Sequence, residues 1–213
     1  VRFAYGRRGP LVLDIADFTL GAGQSCFLYG PSGCGKTTLL GVIAGVLEAQ
    51  AGAVNVLGED LRRMSNAARD RWRGEKLGYI FQMFNLIPYL SVRENILLPA
   101  RLHRGRPSEG LDRIAAALGI ESLLDREVTA LSVGQQQRVA AARALIGKPR
   151  LVIADEPTSA LDAAHRERFL ELLLGQCQTI GAALLFVSHD QSLAGLFETR
   201  QSLPDLNRVG AAV

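Results

Sequence analysis

The sequence predicts an α/β fold: a mostly parallel sheet flanked by helices, with a helical stretch inserted between its two halves. Three observations carry this. Residues 151–154 (LVIA) and 182–187 (AALLFV) are short, continuous apolar runs, the pattern of strands covered on both faces in a parallel sheet. Residues 24–29 (QSCFLY) form a further buried strand and end directly in a glycine-rich loop. Between residues 91 and 147 the apolar spacing turns helical, so strand-bearing segments enclose a helical one.

Each element follows in order. Residues 11–20 (LVLDIADFTL) alternate as a strand does and are punctuated by Gly21 and Gly23. Residues 35–44 read as a helix, and 52–58 (GAVNVLG) as a short strand pair or hairpin arm. Residues 77–81 (LGYIF) read as a strand, followed by a loop over 82–90 that contains Pro88. Ser91 with Glu94 makes a capping box, and Ile114, Ala117 and Leu118 recur at helical spacing. Ser132 suits the N-cap of a helix over 133–146, which Gly147 and Pro149 stop. A helix over 161–174 separates the last two apolar runs. With no repeat or low-complexity tract, residues 1–213 read as a single domain: a core of 1–82 and 149–213 around a helical subdomain at about 83–148.

At 213 residues the chain suits one domain with a substantial core. Its net charge of +3 does not point to nucleic acid. Of 24 basic residues only Lys36, Lys76 and Lys148 are lysines, which sets Lys36 apart. Arg62, Arg63, Arg69, Arg71, Arg73 and Lys76, interspersed with acids, read as a solvated helix face, with contact to anionic lipid as the alternative. Cys26, Cys34 and Cys177 have no metal-ligand spacing, so neither a metal nor a disulfide framework is expected, and a reducing compartment fits. No apolar run reaches the ~18–20 residues of a membrane span. The first ten residues lack the apolar core of a signal peptide, and without Met at position 1, Val1 need not be the native start.

Residues 30–38 read GPSGCGKTT: Gly30, Pro31, Ser32, Gly33, Cys34, Gly35, Lys36, Thr37, Thr38. Gly30, Gly35, Lys36 and Thr37 fit G-x-x-x-x-G-K-[ST] between a strand and a helix. Glycines let backbone N–H groups curl round phosphate oxygens, and the following helix adds its positive N-terminus. Lys36 neutralises β/γ-phosphate charge and the Thr37 hydroxyl ligates Mg²⁺. This motif alone specifies a P-loop NTPase, whether kinase, GTPase, helicase or motor.

Residues 151–156 form an apolar strand that ends in two acids. At such an edge Asp155 can hold Mg²⁺ through water, and Glu156 can orient and deprotonate a water for in-line attack on the γ-phosphorus. His189 follows the parallel run at 182–187, where it can bond the γ-phosphate and the attacking water.

Taken together and in this order, the motifs resemble the ATP-binding domains of ABC transporters over essentially the whole chain. Tyr5 resembles the family's adenine-stacking aromatic, and Gln82 its glutamine loop. Residues 131–138 (LSVGQQQR) match its signature, and Ser159, Ala160, Leu161 and Asp162 its dimer-contact loop. His189, in VSHD, matches its switch histidine. The resemblance implies a RecA-like P-loop core with a small antiparallel β subdomain and an inserted α-helical subdomain. It implies ATP and Mg²⁺ as cofactors, the metal held by Thr37, Gln82 and Asp155, and catalysis by Glu156, His189, Gln82 and Lys36. Ser132, Val133, Gly134 and Gln135 are implied to contact the nucleotide held by a facing subunit, a second copy or a paralogue. Val133 departs from the common LSGGQ and requires negative φ.

The stretch LGYIFQMFNLIPYLSVRENILLPARL is similar to motor subunits of lipoprotein-release and macrolide-export type ABC systems. It is similar also to the cell-division ABC ATPase, which transmits mechanical signals without transport. Residues 83–89, from Met83 to Tyr89, read as an exposed apolar loop that docks on transmembrane permease subunits. The alternative is that Phe84 and Leu86 anchor this loop to the core. The expected location is peripheral, on the cytoplasmic face of a bacterial-type inner membrane, with no nucleic-acid partner. Soluble DNA-repair or translation ABC ATPases fit less well. The repair type needs a long coiled coil where only 48 residues separate Gln82 from Leu131, and the translation type carries two cassettes. A metabolite kinase would leave LSVGQQQR and SALD unexplained.

Overall fold

The computed structural model describes residues 1–6, 8–102, 110–159 and 161–210. Its strands and helices, in chain order, are β1 (Arg2–Ala4), β2 (Leu11–Asp14), β3 (Ser25–Tyr29), α1 (Lys36–Ile43), β4 (Asn55–Val56), β5 (Glu59–Asp60), α2 (Asn66–Lys76) and β6 (Leu77–Ile80). There follow α3 (Val92–Leu102), α4 (Leu111–Leu118), α5 (Val133–Leu145), β7 (Leu151–Asp155), α6 (Ala163–Ile180), β8 (Ala183–Val187), β9 (Thr199–Ser202) and α7 (Leu203–Leu206).

The central sheet has the order β6-β7-β8-β3-β9, and its paired strands all run parallel. Alternate residues of each strand feed two core layers. Phe27, Ile80, Val152, Leu184 and Phe186 pack toward α5 and α6. Cys26, Leu28, Ile153, Leu185 and Val187 pack toward α1. This explains why the predictive runs were continuously apolar: both sheet faces are covered. Two antiparallel pairs, β1–β2 and β4–β5, form separate small ladders.

The strand expected over 11–20 ends at Asp14. Along this strand the Asn207 side chain accepts from the Asp14 N–H at 2.8 Å and donates to the Val12 carbonyl at 2.9 Å, while the next residue, Ile15, still donates to the Val1 carbonyl at 2.9 Å. The helix expected over 161–174 runs over 163–180 instead. The Asp162 carboxylate caps it, and Gly181, at φ 67°, ends it. The basic stretch is only partly a solvated face. On α2, Arg69 and Trp72 are buried, and Arg69 reaches Glu48 at 2.9 Å. The Ser91–Glu94 and Ser132–Gln135 capping boxes both form. At Gly78 strand β6 touches helix α5 so closely that a Cβ would lie 2.5 Å from the Ala144 carbonyl oxygen.

Candidate functional site

Four neighbouring parallel strands open onto one edge of the sheet. β3 runs into the phosphate loop, β7 ends at Asp155, β8 leads to His189 and β6 to Gln82. Ligands of open α/β sheets bind at this carboxyl edge.

The phosphate loop turns into α1 through Gly35, at φ 102°, where a Cβ would press within 3.0 Å of Leu13. Lys36 is the first residue of α1, and its ammonium is nearly buried. It donates to the Gly30 carbonyl at 2.8 Å and the Pro31 carbonyl at 3.0 Å, and lies 3.6 Å from Glu156 Oε1. The other carboxylate oxygen, Oε2, is 3.1 Å from His189 Nδ1. One carboxylate therefore joins the loop after β3 to the loop after β8. The Thr37 hydroxyl donates to Asp155 Oδ2 at 3.4 Å. Burial, and next the charge of Glu156, push the Asp155 carboxyl above its ordinary range, against the Thr37 hydrogen bond and Lys36.

Thr37 and Asp155 together offer hard oxygen donors on one side of the loop. Among the described residues, no cluster of His, Cys, Asp and Glu encloses a metal. That donor set fits a small divalent cation that keeps its waters and takes the rest of its ligands from phosphate.

Glu156 has a positive φ of 45°, immediately before Pro157. A non-glycine side chain there is strained, and the residue before proline is disfavoured in helical regions. The sheet holds it: the Glu156 N–H donates to the Val187 carbonyl at 2.9 Å, and the Ser159 N–H to the Glu156 carbonyl at 3.2 Å.

Other predicted residues lie around this cluster. Tyr5 is 58% exposed and bonds the Thr38 hydroxyl at 3.0 Å, which sets its ring beside the first turn of α1. Gln82 is exposed just beyond β6. Ser132 caps α5, and Val133, half exposed, begins it without a positive φ. Among the described residues, no hydrogen bond or ion pair joins 132–135 to the phosphate loop. A Cβ on Gly134 would instead lie 3.8 Å from Leu161, so the LSVGQ turn and the SALD loop are neighbours on the same chain. Ala160 lies outside the described residues.

The exposed loop over 83–89 divides. Met83 and Tyr89 are 81% and 82% exposed, whereas Phe84 is buried and Leu86 packs against the core. Phe84 is therefore an anchor and not part of the exposed surface.

Three positions escaped the sequence reading. Arg143, buried on α5, donates to the carbonyls of Phe84 and Asn85, the latter at 2.6 Å; both of these residues have positive φ. Arg166 donates to the Leu161 carbonyl at 2.8 Å and pairs with Asp190, beside His189. Gln137 donates to the Pro157 carbonyl at 2.7 Å. The available signal was a polar residue where helical periodicity demands burial, as with Arg143 in VAAARAL.

Comparison with known proteins agrees with this geometry. The profile of the family described as ABC transporter matches residues 13–159. The lipoprotein-releasing system ATP-binding protein LolD 2 of Rhodospirillum rubrum is 38% identical over 212 residues, which span 98% of this chain and 92% of that protein. LolD 1 of Caulobacter vibrioides is 38% identical over 95% of this chain and 88% of its own length. Among solved structures, the dimeric post-hydrolysis state of the ATP-binding cassette MJ0796 bound to ADP and Pi superposes with a TM-score of 0.82. It is 31% identical and covers 98% of this chain and 91% of its own. The sheet edge, the motif order and these relatives agree: the chain belongs to the ATP-binding domains of the ABC transporter family.

Proposed function

We propose that this chain is an ATPase motor subunit of a membrane transporter complex, working as a pair around two ATP molecules. The observation that carries the reading is the Glu156 carboxylate, held between Lys36 and His189 at the carboxyl edge of the sheet. In this reading Lys36 and the loop N–H groups hold the β- and γ-phosphates. Thr37 and Asp155, with Gln82, hold Mg²⁺, which supplies charge neutralisation on those phosphates. Glu156 takes a proton from the attacking water as its oxygen bonds to the γ-phosphorus. The bond from that phosphorus to the β–γ bridging oxygen breaks, ADP leaves, and His189 orients water and γ-phosphate. Tyr5 stacks on the adenine.

The second half of each site comes from Ser132, Val133, Gly134 and Gln135 of the facing subunit, with Ser159, Leu161 and Asp162 lining the contact between the two. In this reading the membrane path belongs to permease subunits; among the described residues, no helix is long and apolar enough to cross a membrane. The permease subunits dock on the exposed side chains of Met83 and Tyr89. The similarity to lipoprotein-releasing ATPases supports a permease of that type and a place on the cytoplasmic face of a bacterial inner membrane.

Glu156→Gln tests the reading. Hydrolysis is expected to fall about 10²–10⁴-fold, while ATP binding persists and an ATP-dependent dimer accumulates in sizing experiments. A variant that hydrolyses at the wild-type rate, or stays monomeric at every ATP and protein concentration, rejects it.

A further inference from the structure

Helix α5 starts at the Ser132 cap, and Gln137 lies about one and a half turns into it. Its side chain is completely buried, and Nε2 donates to the Pro157 carbonyl oxygen at 2.7 Å. The other amide atom, Oε1, is buried without a hydrogen-bond partner among the described residues. A buried acceptor left unpaired is a cost to the fold. A methionine would fill a similar volume without that cost, so the amide contributes through its donor.

What the donor grips is the turn that carries Glu156. The strained backbone at Glu156, with φ 45° before a proline, persists only where its surroundings over-determine it. The sheet supplies one restraint, through the Val187 carbonyl, and the turn supplies another, through the Ser159 N–H. Gln137 supplies a third from a different part of the molecule, the helix that begins at 132–135. A helix is stiff over one and a half turns, so a displacement of the Ser132 end is carried to the Pro157 carbonyl.

The geometry points to Gln137 as a positioning residue. It clamps the Glu156 turn to the helix whose first turn meets the partner's nucleotide, so that each subunit's catalytic carboxylate is aligned by engagement of the opposite site. This rests on the ATPase reading of Glu156 and on the trans contact proposed for residues 132–135.

The test compares the full wild-type chain with Gln137→Met, which removes the donor, and Gln137→Asn, which withdraws the amide by one methylene. Hydrogen exchange is read in the 156–159 turn and in β7, and kcat and KM are measured for ATP. In both variants exchange in the turn is expected to rise at least about 10-fold, with β7 unchanged. A misaligned base should lower kcat by about 10–100-fold at little-changed KM, and with it the cooperativity of the rate in ATP. Wild-type exchange and kcat in either folded variant overturn the proposal, as does a rise in exchange that spreads evenly through the chain. A wild type that does not hydrolyse ATP rejects the ATPase reading, while the exchange arm still decides whether the clamp exists. Should neither variant fold, wild-type exchange under mild denaturant decides: turn and α5 amides are expected to open together, and independent opening overturns the clamp.

Discussion

Asp155 and Glu156 are adjacent, yet their environments press on them differently. Glu156 is balanced by Lys36 and His189, whereas Asp155 is held by burial and by its neighbour's charge in a state that resists ionisation. A carboxyl whose folded pKa is raised stabilises the fold while it is protonated. That contribution is complete below the unfolded value and is lost as pH rises through the folded one. Ionising Asp155 is thus a liability to the folded chain. Asp155→Asn is expected to raise the thermal midpoint at pH 7.5 in nucleotide-free buffer, and melts in acid should show the gap close. The same variant should lose metal-dependent hydrolysis. Asp155, Glu156 and His189 were legible in the sequence because an apolar run that stops at a polar residue announces a strand end. The left-handed turn at Glu156 was not legible, since nothing in the letters DEP requires it. Gln137 and Arg143 were hidden for a related reason. Their partners are backbone carbonyls 20 and 58 residues away, and carbonyls have no residue code.

At the scale of the elements, α5 ties several parts of the molecule together. Ser132 caps it, Gln137 and Arg143 reach out along it, and Ala144 sits against β6 where Gly78 has no Cβ. Arg143 gives the loop over 83–89 its shape by satisfying two consecutive carbonyls, and burial lowers its guanidinium pKa. Arg143→Met should leave those carbonyls unpaired, at a cost of about 1–3 kcal/mol for each one that water does not reach. A lower thermal midpoint and faster proteolysis within 83–89 would register it, and unchanged values for both would show that the loop holds itself. Element identity was legible where periodicity was strong, as in the parallel strands and α5. The bounds were less legible: at 11–20 the strand stops at Asp14 with a single bridge beyond it at Ile15, and at α6 Gly175 lies inside a helix that continues to Ile180.

At the scale of the whole molecule, the proposed pairing makes each site a composite of two chains. Lys36→Ala destroys the half that a chain keeps, and Ser132→Arg the half it lends. Each homodimer should therefore be inactive at both sites. Half the pairs of an equal mixture are mixed and each mixed pair holds one intact site, so the mixture should regain up to about a quarter of wild-type activity, and about 10–100-fold less if the Gln137 clamp, unengaged in the chain that carries Ser132→Arg, aligns that site's Glu156. An ATPase assay after co-refolding reads this directly, and a mixture as inactive as its parts would contradict shared sites. The closeness of Gly134 to Leu161 then carries a kinetic consequence. The surface a chain lends and the loop that seals the contact are one patch, so lending and sealing happen in a single docking event. At concentrations too low for stable pairing, hydrolysis should climb with the square of the amount of protein. If the proposed pairing holds, a lone chain, however well loaded with ATP, should stay silent: such a motor counts its copies before it fires.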